Sequence, residues 1–207
     1  QGSLLERNTA GRDGGGLCVC DSNSFDRLYM TDTRVIANAA VGDGGGVLVK
    51  TAAPVSLLRG EIRANRTASF GSSQGGGLYT AAGGRIEETS VTSNTSGERG
   101  AGIYSGAALT LTFANIISNT LMAGGATVDG AGVFVNGALF ALYGSISDNV
   151  IPGTNAGNEG GGVYALGFAS IEQTDFSRNR VISGTGGGLY LAQGGVITSN
   201  YLFGNAA

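Results

Sequence analysis

The chain has no histidine and no tryptophan, a single lysine at Lys50, and only two prolines and two cysteines in 207 residues. Without histidine there is no Ser-His-Asp triad, no Cys-His dyad and no histidine-ligated zinc or iron. Only 13% of residues are charged and the formal net charge is −3. The basic face that nucleic acid or an anionic membrane would require is therefore missing. No apolar run reaches the 18 residues expected of a membrane-spanning helix. No basic segment leads into an apolar stretch near the start, so a signal peptide is absent or already removed. The chain opens on Gln1, as a processed mature terminus or an excised fragment would. Cys18 and Cys20 form neither a disulfide-dense pattern nor a CxxC pair. A small buried-thiol or capping role is the first expectation for them. The alternative is a disulfide to another protomer or a missing segment, in an extracellular setting.

What the chain has instead is glycine, 39 residues of it, with 42% hydrophobic residues. The apolar share is too high for a flexible linker or disordered tail. Glycine does not recur at every third position and proline is scarce, which excludes collagen. The triplet GGG or GAG followed by an aliphatic residue occurs seven times, with third glycines at Gly16, Gly46, Gly77, Gly102, Gly132, Gly162 and Gly188. The next position reads Leu17, Val47, Leu78, Ile103, Val133, Val163 and Leu189. The one after reads Cys18, Leu48, Tyr79, Tyr104, Phe134, Tyr164 and Tyr190.

A second marker, an apolar residue, two variable residues and then asparagine, follows each triplet. Its asparagines are Asn38, Asn65, Asn94, Asn119, Asn149, Asn179 and Asn205. A weaker apolar position lies nine after the third glycine, at Val55, Ile86, Leu111, Ala141, Ile171 and Ile197. Each period of 25–31 residues thus offers three short β-prone segments. No stretch keeps a 3.6-residue pattern, and a propeller blade would need four strands. The expected fold is all-β, a right-handed parallel β-helix (β-solenoid) in a single domain over 1–207. Its seven coils of three short strands start near 14, 44, 75, 100, 130, 160 and 186. Stacked at the interstrand spacing, seven coils make a rod roughly 30–35 Å long. The aliphatic column points inward, the glycines turn a tight corner, and the asparagines form a turn ladder, tolerating left-handed backbone and hydrogen-bonding through their amides from coil to coil. Variation in period falls between each asparagine and the next triplet, so one corner carries the loops.

The alternation of GG[GA]-aliphatic with FxxN, clearest at Phe176-Ser-Arg-Asn179 followed by Gly186-Gly-Gly-Leu-Tyr190, resembles the chlamydial polymorphic membrane proteins. The resemblance covers nearly the whole chain. It departs from that family where Val, Ile or Leu replaces Phe, and where glycine stands for the usual alanine. It implies an exported autotransporter-type passenger with adhesive or structural roles on a cell surface. The membrane barrel of such proteins is not part of this sequence.

Chemistry on such a rod is sparse. The aromatic stripe Tyr79, Tyr104, Phe134, Tyr164 and Tyr190 reads first as a stacking ladder and second as a strip for glycans or a protein partner. Asp13, Asp43, Asp129 and Glu159 stand three before the third glycine. They read first as turn caps and, as the alternative, as calcium ligands, since stacked carboxylates repel unless a cation bridges them. No other cofactor is expected. A polysaccharide lyase or hydrolase would draw on Glu87, Glu88, Glu172 and Asp175 with Arg85, Arg178 or Lys50. Glu87 and Glu88 would point to opposite faces of a strand, and Glu87 and Glu172 lie three coils apart, too far for joint acid–base work. The sequence therefore predicts a non-catalytic, extracellular adhesive or structural scaffold. A filament subunit stacking end to end and a glycan-active β-helix are the alternatives. The expected partners are other copies of the chain, a host or cell-surface receptor, or glycans, and not nucleic acid.

Overall fold

The computed structural model describes residues 2–20, 27–68, 73–122 and 128–207. They contain only short strands and connecting turns, with no helix among them. Three parallel sheets run the length of the molecule, and in each the neighbouring strands come from successive repeats. The glycine sheet stacks Leu17–Val19, Val47–Val49, Leu78–Thr80, Ile103–Ser105, Val133–Val135, Val163–Ala165 and Leu189–Leu191. The middle sheet stacks seven strands from Leu28–Thr31 to Gly195–Thr198. The asparagine sheet stacks eight, from Leu4–Glu6 to Tyr201–Phe203. The molecule is a parallel β-solenoid, with six full turns between the first and last strands of each seven-strand sheet. Its extra first strand carries an eighth asparagine marker, Leu5-Glu-Arg-Asn8, ahead of the first triplet.

The core is made of columns. The aliphatic column after the triplets has Val47, Leu78, Ile103, Val133 and Val163 fully buried. It meets Val35, Ile62, Val91, Ile116, Ile146 and Phe176 of the asparagine sheet. In the middle sheet, Leu57 pairs with Ile86, in the column that continues through Leu111, Ala141, Ile171 and Ile197. Val55, expected there from its nine-residue offset, instead pairs with Gly84. Two extra residues before this strand shift the second repeat. Because two is the side-chain period of a strand, Val55 still points inward, 1% exposed.

Each triplet glycine has its own reason. The first adopts left-handed φ in every copy, from 58° at Gly100 to 69° at Gly160. A Cβ on the third would press on the side-chain amide of its own repeat's asparagine, 3.0 Å from Asn119 at Gly102. The two sequence markers are therefore one packed unit. At the second position Ala101 and Ala131 are buried in a satellite core with Leu121, Val128, Ile151 and Val181.

The asparagines themselves do not adopt left-handed φ, contrary to expectation. The residue before each one does: Ala37, Ala64, Ser93, Ser118, Asp148 and Arg178 lie at φ 54–58°. A second left-handed column, Asp32, Arg59, Glu88, Phe113, Tyr143, Gln173 and Ser199, turns the middle sheet into the asparagine sheet. Non-glycine residues tolerate this at a cost of about 1–2 kcal/mol each. The hydrogen bonds of the buried asparagines offset it at the first of these corners. No helix among the described residues is long and apolar enough to cross a membrane.

Candidate functional site

Polar chemistry inside the rod is used for structure. Asn38, Asn65, Asn94, Asn119, Asn149 and Asn179 are fully buried. The Asn119 backbone N–H and Nδ2 both donate to Asn149 Oδ1 at 3.0 Å, and Nδ2 also donates to the Val91 carbonyl at 3.0 Å. The pattern repeats from Asn8, whose N–H and Nδ2 donate to Asn38 Oδ1, to Asn205, whose Oδ1 accepts from Asn179. Each member from Asn8 to Asn179 thus donates its N–H and Nδ2 to the amide oxygen of the next coil, and from Asn38 on Nδ2 also donates back to a carbonyl of the preceding coil, so the amide-to-amide ladder has a direction.

The aromatic stripe lies on the outer face of the glycine sheet. Tyr79, Tyr104, Phe134, Tyr164 and Tyr190 stack with centroids 4.7–5.2 Å apart and planes within 10°. The rings cover one another's faces, so edges rather than faces meet solvent, and Phe134 is only 4% exposed. Arg99 covers Phe134 further, its guanidinium 5.2 Å from the ring centroid. Burial pushes the Tyr79 phenol up to about 12, with Tyr104 and the carboxylates of Asp43 and Asp13 adding to the shift. Burial also raises Tyr104 and Tyr164, while Glu159 raises Tyr190.

The four acidic residues fall in one column, two in each pair of adjacent coils. Asp13 Oδ1 accepts from the Asp43 N–H and Asp43 Oδ1 from the Gln74 N–H, both at 2.9 Å, so these carboxylates cap the next coil's corner. Lys50 Nζ lies 2.8 Å from Asp13 and 3.8 Å from Asp43. Arg99 and Asp129 are 3.4 Å apart, and Glu159 accepts from Thr185. The Lys50 ammonium thus bridges Asp13 and Asp43, whereas the Arg99 guanidinium meets Asp129 and Glu98. The hydrogen bond from Lys50 lowers Asp13, whereas burial raises Asp43 and Asp129. Among the described residues no cluster of three acidic, cysteine or histidine side chains is arranged around a common point.

The carboxylates considered for hydrolysis are dispersed. Glu87, Thr112, Leu142 and Glu172 follow one another in register, so the two glutamates are separated by three interstrand steps, about 14 Å. Glu87 is tied to Arg85 at 2.9 Å, and Arg178 to Asp148 by two bonds of 2.7 Å. Glu88 lies past the strand end on a left-handed corner instead of within the strand. One Asp175 oxygen, Oδ1, is buried without a hydrogen-bond partner among the described residues.

Two surface features escaped the sequence reading. On one flank, Phe113, Phe140, Tyr143 and Phe168 are 41–51% exposed, with Phe113 and Tyr143 stacked at 5.1 Å. None of these four belongs to the glycine register. The only sequence signal was bulky aromatics at the strand-end corner and at outward-facing positions of the middle sheet. At the C-terminal end, Ile197 and Leu202 continue inward columns yet are 47% and 53% exposed. The cysteines differ from the first expectation: Cys18 and Cys20 are both exposed and are bonded to each other. No family model, curated protein or solved structure matches the chain.

Proposed function

We propose that the chain is a non-catalytic β-solenoid scaffold of the surface-displayed, adhesive kind, working outside the cell. The observation that carries this reading is the way its reactive groups are spent. The acidic column, the stacked tyrosines and the asparagines hold coils together and are largely shielded, while Phe113, Phe140, Tyr143 and Phe168 stay 41–51% exposed, Phe113 and Tyr143 stacking on each other across adjacent coils. Exposed apolar patches of this sort mark interaction sites on soluble proteins. The alternating glycine and asparagine markers support the same reading through their likeness to chlamydial polymorphic membrane protein passengers. The partner is then a cell-surface receptor or a glycan chain. Binding of the purified chain to cultured cells, with Phe140→Ser/Phe168→Ser as the comparison, tests it. Loss of binding at unchanged melting temperature is expected. Release of unsaturated products from pectin, alginate or chondroitin would replace the scaffold reading with a lyase.

A second reading, a filament subunit, is favoured by the rod's ends. The Gly160, Gly161 and Gly162 N–H groups donate to Thr185, Gly186 and Gly187 carbonyls, whereas those of Gly186, Gly187 and Gly188 find no acceptor among the described residues. At the other end the Asp13, Gly14 and Gly16 carbonyls accept nothing among them. Donors at one end and acceptors at the other are complementary to a further coil, and where that coil belongs to a second copy the head-to-tail contact propagates instead of closing. Concentration-dependent rods in electron micrographs, abolished by Leu202→Asp, are the expected result on this reading.

A further inference from the structure

We propose that Cys18 and Cys20 form a thiol–disulfide exchange site whose substrate is a thiol, either a small one in solution or a cysteine of a second copy of this chain. The two residues are bonded, with Cα atoms 5.5 Å apart, within the range of about 4.4–6.8 Å that a disulfide spans. Both belong to one edge strand and its first following residue. With Val19 turned toward the core, Cys18 and Cys20 share the outer face and both are exposed. Among the described residues the strand Leu17–Val19 ends its sheet, with a paired strand on one side only.

As a staple this bond is ineffective. It joins residues two apart in one strand and links no two coils. A loop this short removes the least chain entropy from the unfolded state. As a reactive centre it is well placed. An incoming thiolate attacks one exposed sulfur and forms a new S–S bond. The other cysteine leaves as a thiolate carrying the bonding pair and takes a proton from water. A second thiol then attacks the mixed disulfide, releasing the small-molecule disulfide and leaving two cysteine thiols, for two electrons from two thiols. The reverse sequence consumes a low-molecular-weight disulfide. The shared strand face keeps the second cysteine beside the mixed disulfide throughout.

The test equilibrates the full chain in glutathione buffers of varied ratio, traps thiols with N-ethylmaleimide and reads intact mass. The two cysteines are expected to pass together and reversibly between unlabelled and doubly labelled forms. The melting temperatures of the two forms should agree within about 2 °C. Cys20→Ser treated with glutathione disulfide should hold a glutathione adduct on Cys18, and a disulfide-linked dimer on a non-reducing gel would identify a second copy as the thiol source. The proposal is overturned if excess dithiothreitol leaves the pair oxidised or excess glutathione disulfide leaves it reduced. It is equally overturned if reduction unfolds the rod, or if Cys20→Ser yields neither adduct nor dimer.

Discussion

Replacing Asn119 by alanine tests whether the buried amide ladder holds the coils together. The side chain makes four hydrogen bonds: Nδ2 to the Val91 carbonyl and to Asn149 Oδ1, and Oδ1 from the N–H and the Nδ2 of Asn94, each at 3.0 Å. Removing it strands the Asn94 N–H and one Nδ2 hydrogen of Asn94, both fully buried. Asn149 Oδ1 keeps the backbone N–H of residue 119 as a donor. Two stranded donors at about 1–3 kcal/mol each give roughly 2–6 kcal/mol, centred near 4. For a chain of this length that is a fall of about 8–16 °C in Tm. The internal control is Asn205→Ala. Its Oδ1 accepts the same two bonds from Asn179, at 3.0 Å each. In the end coil water can replace that acceptor, and the expected loss is about 1 kcal/mol or less. Calorimetry of both variants decides the matter. If Asn119→Ala melts within about 4 °C of Asn205→Ala, the ladder contributes no more inside the rod than at its wet end, and the reasoning fails.

Gly102→Ala places a Cβ about 2.5 Å from the Gly132 carbonyl and 3.0 Å from the Asn119 amide; urea titration should show a loss of about 1–3 kcal/mol from overpacking. Tyr104→Ala breaks two stacked ring pairs, for a loss of about 1–3 kcal/mol on unfolding at unchanged glycan binding; lost glycan binding at unchanged stability would make the stripe a ligand surface instead. Tyr79 is raised to about 12 and Tyr104, Tyr164 and Tyr190 upward. The native state therefore retains phenolic protons that the unfolded chain releases near pH 10, so stability is full below pH 10 and falls as pH rises toward 12. Absorbance titration of tyrosinate should lag that of the denatured chain, and coincident curves would refute the shift. On the acid side, the ion pairs that lower Asp13, Glu61 and Asp148 contribute stability above the ordinary carboxylate range and lose it as pH falls. Removing Lys50 by Lys50→Met should flatten that acid limb in a pH series of melting temperatures.

The architecture was open to sequence reading because a stacked coil repeats its environment. Each column imposes one requirement on every copy, so the glycine corner and the aliphatic core column recur as letters at fixed spacing. The asparagines and their coil-to-coil amide ladder were legible for the same reason, although the backbone turn beside them was not. Letters show that an amide is required, but only the backbone shows that the preceding residue, as unlike as Ala64, Ser118 and Arg178, takes the left-handed turn. The register of Val55 was misread because an insertion of two residues keeps side-chain parity and leaves the apolar pattern intact.

What no repeat imposes could not be read at all. Phe113 and Tyr143 share a corner column with Asp32, Arg59, Glu88, Gln173 and Ser199, and Phe140 shares its column with Ser56, Arg85, Thr110 and Ser170, so no one letter marks these places; Phe113 and Tyr143 stack only when the corner is folded. The pairing of Lys50 with Asp13, 37 residues away, depends on a stack that turns the one ammonium back over the preceding coil. The sequence by itself determined the rod, since periodic burial and periodic turns are local demands repeated along the chain. Only the tertiary structure decided which side chains remain exposed, which charges neutralise one another and that Cys18 bonds to Cys20, because those depend on what the neighbouring coil happens to present.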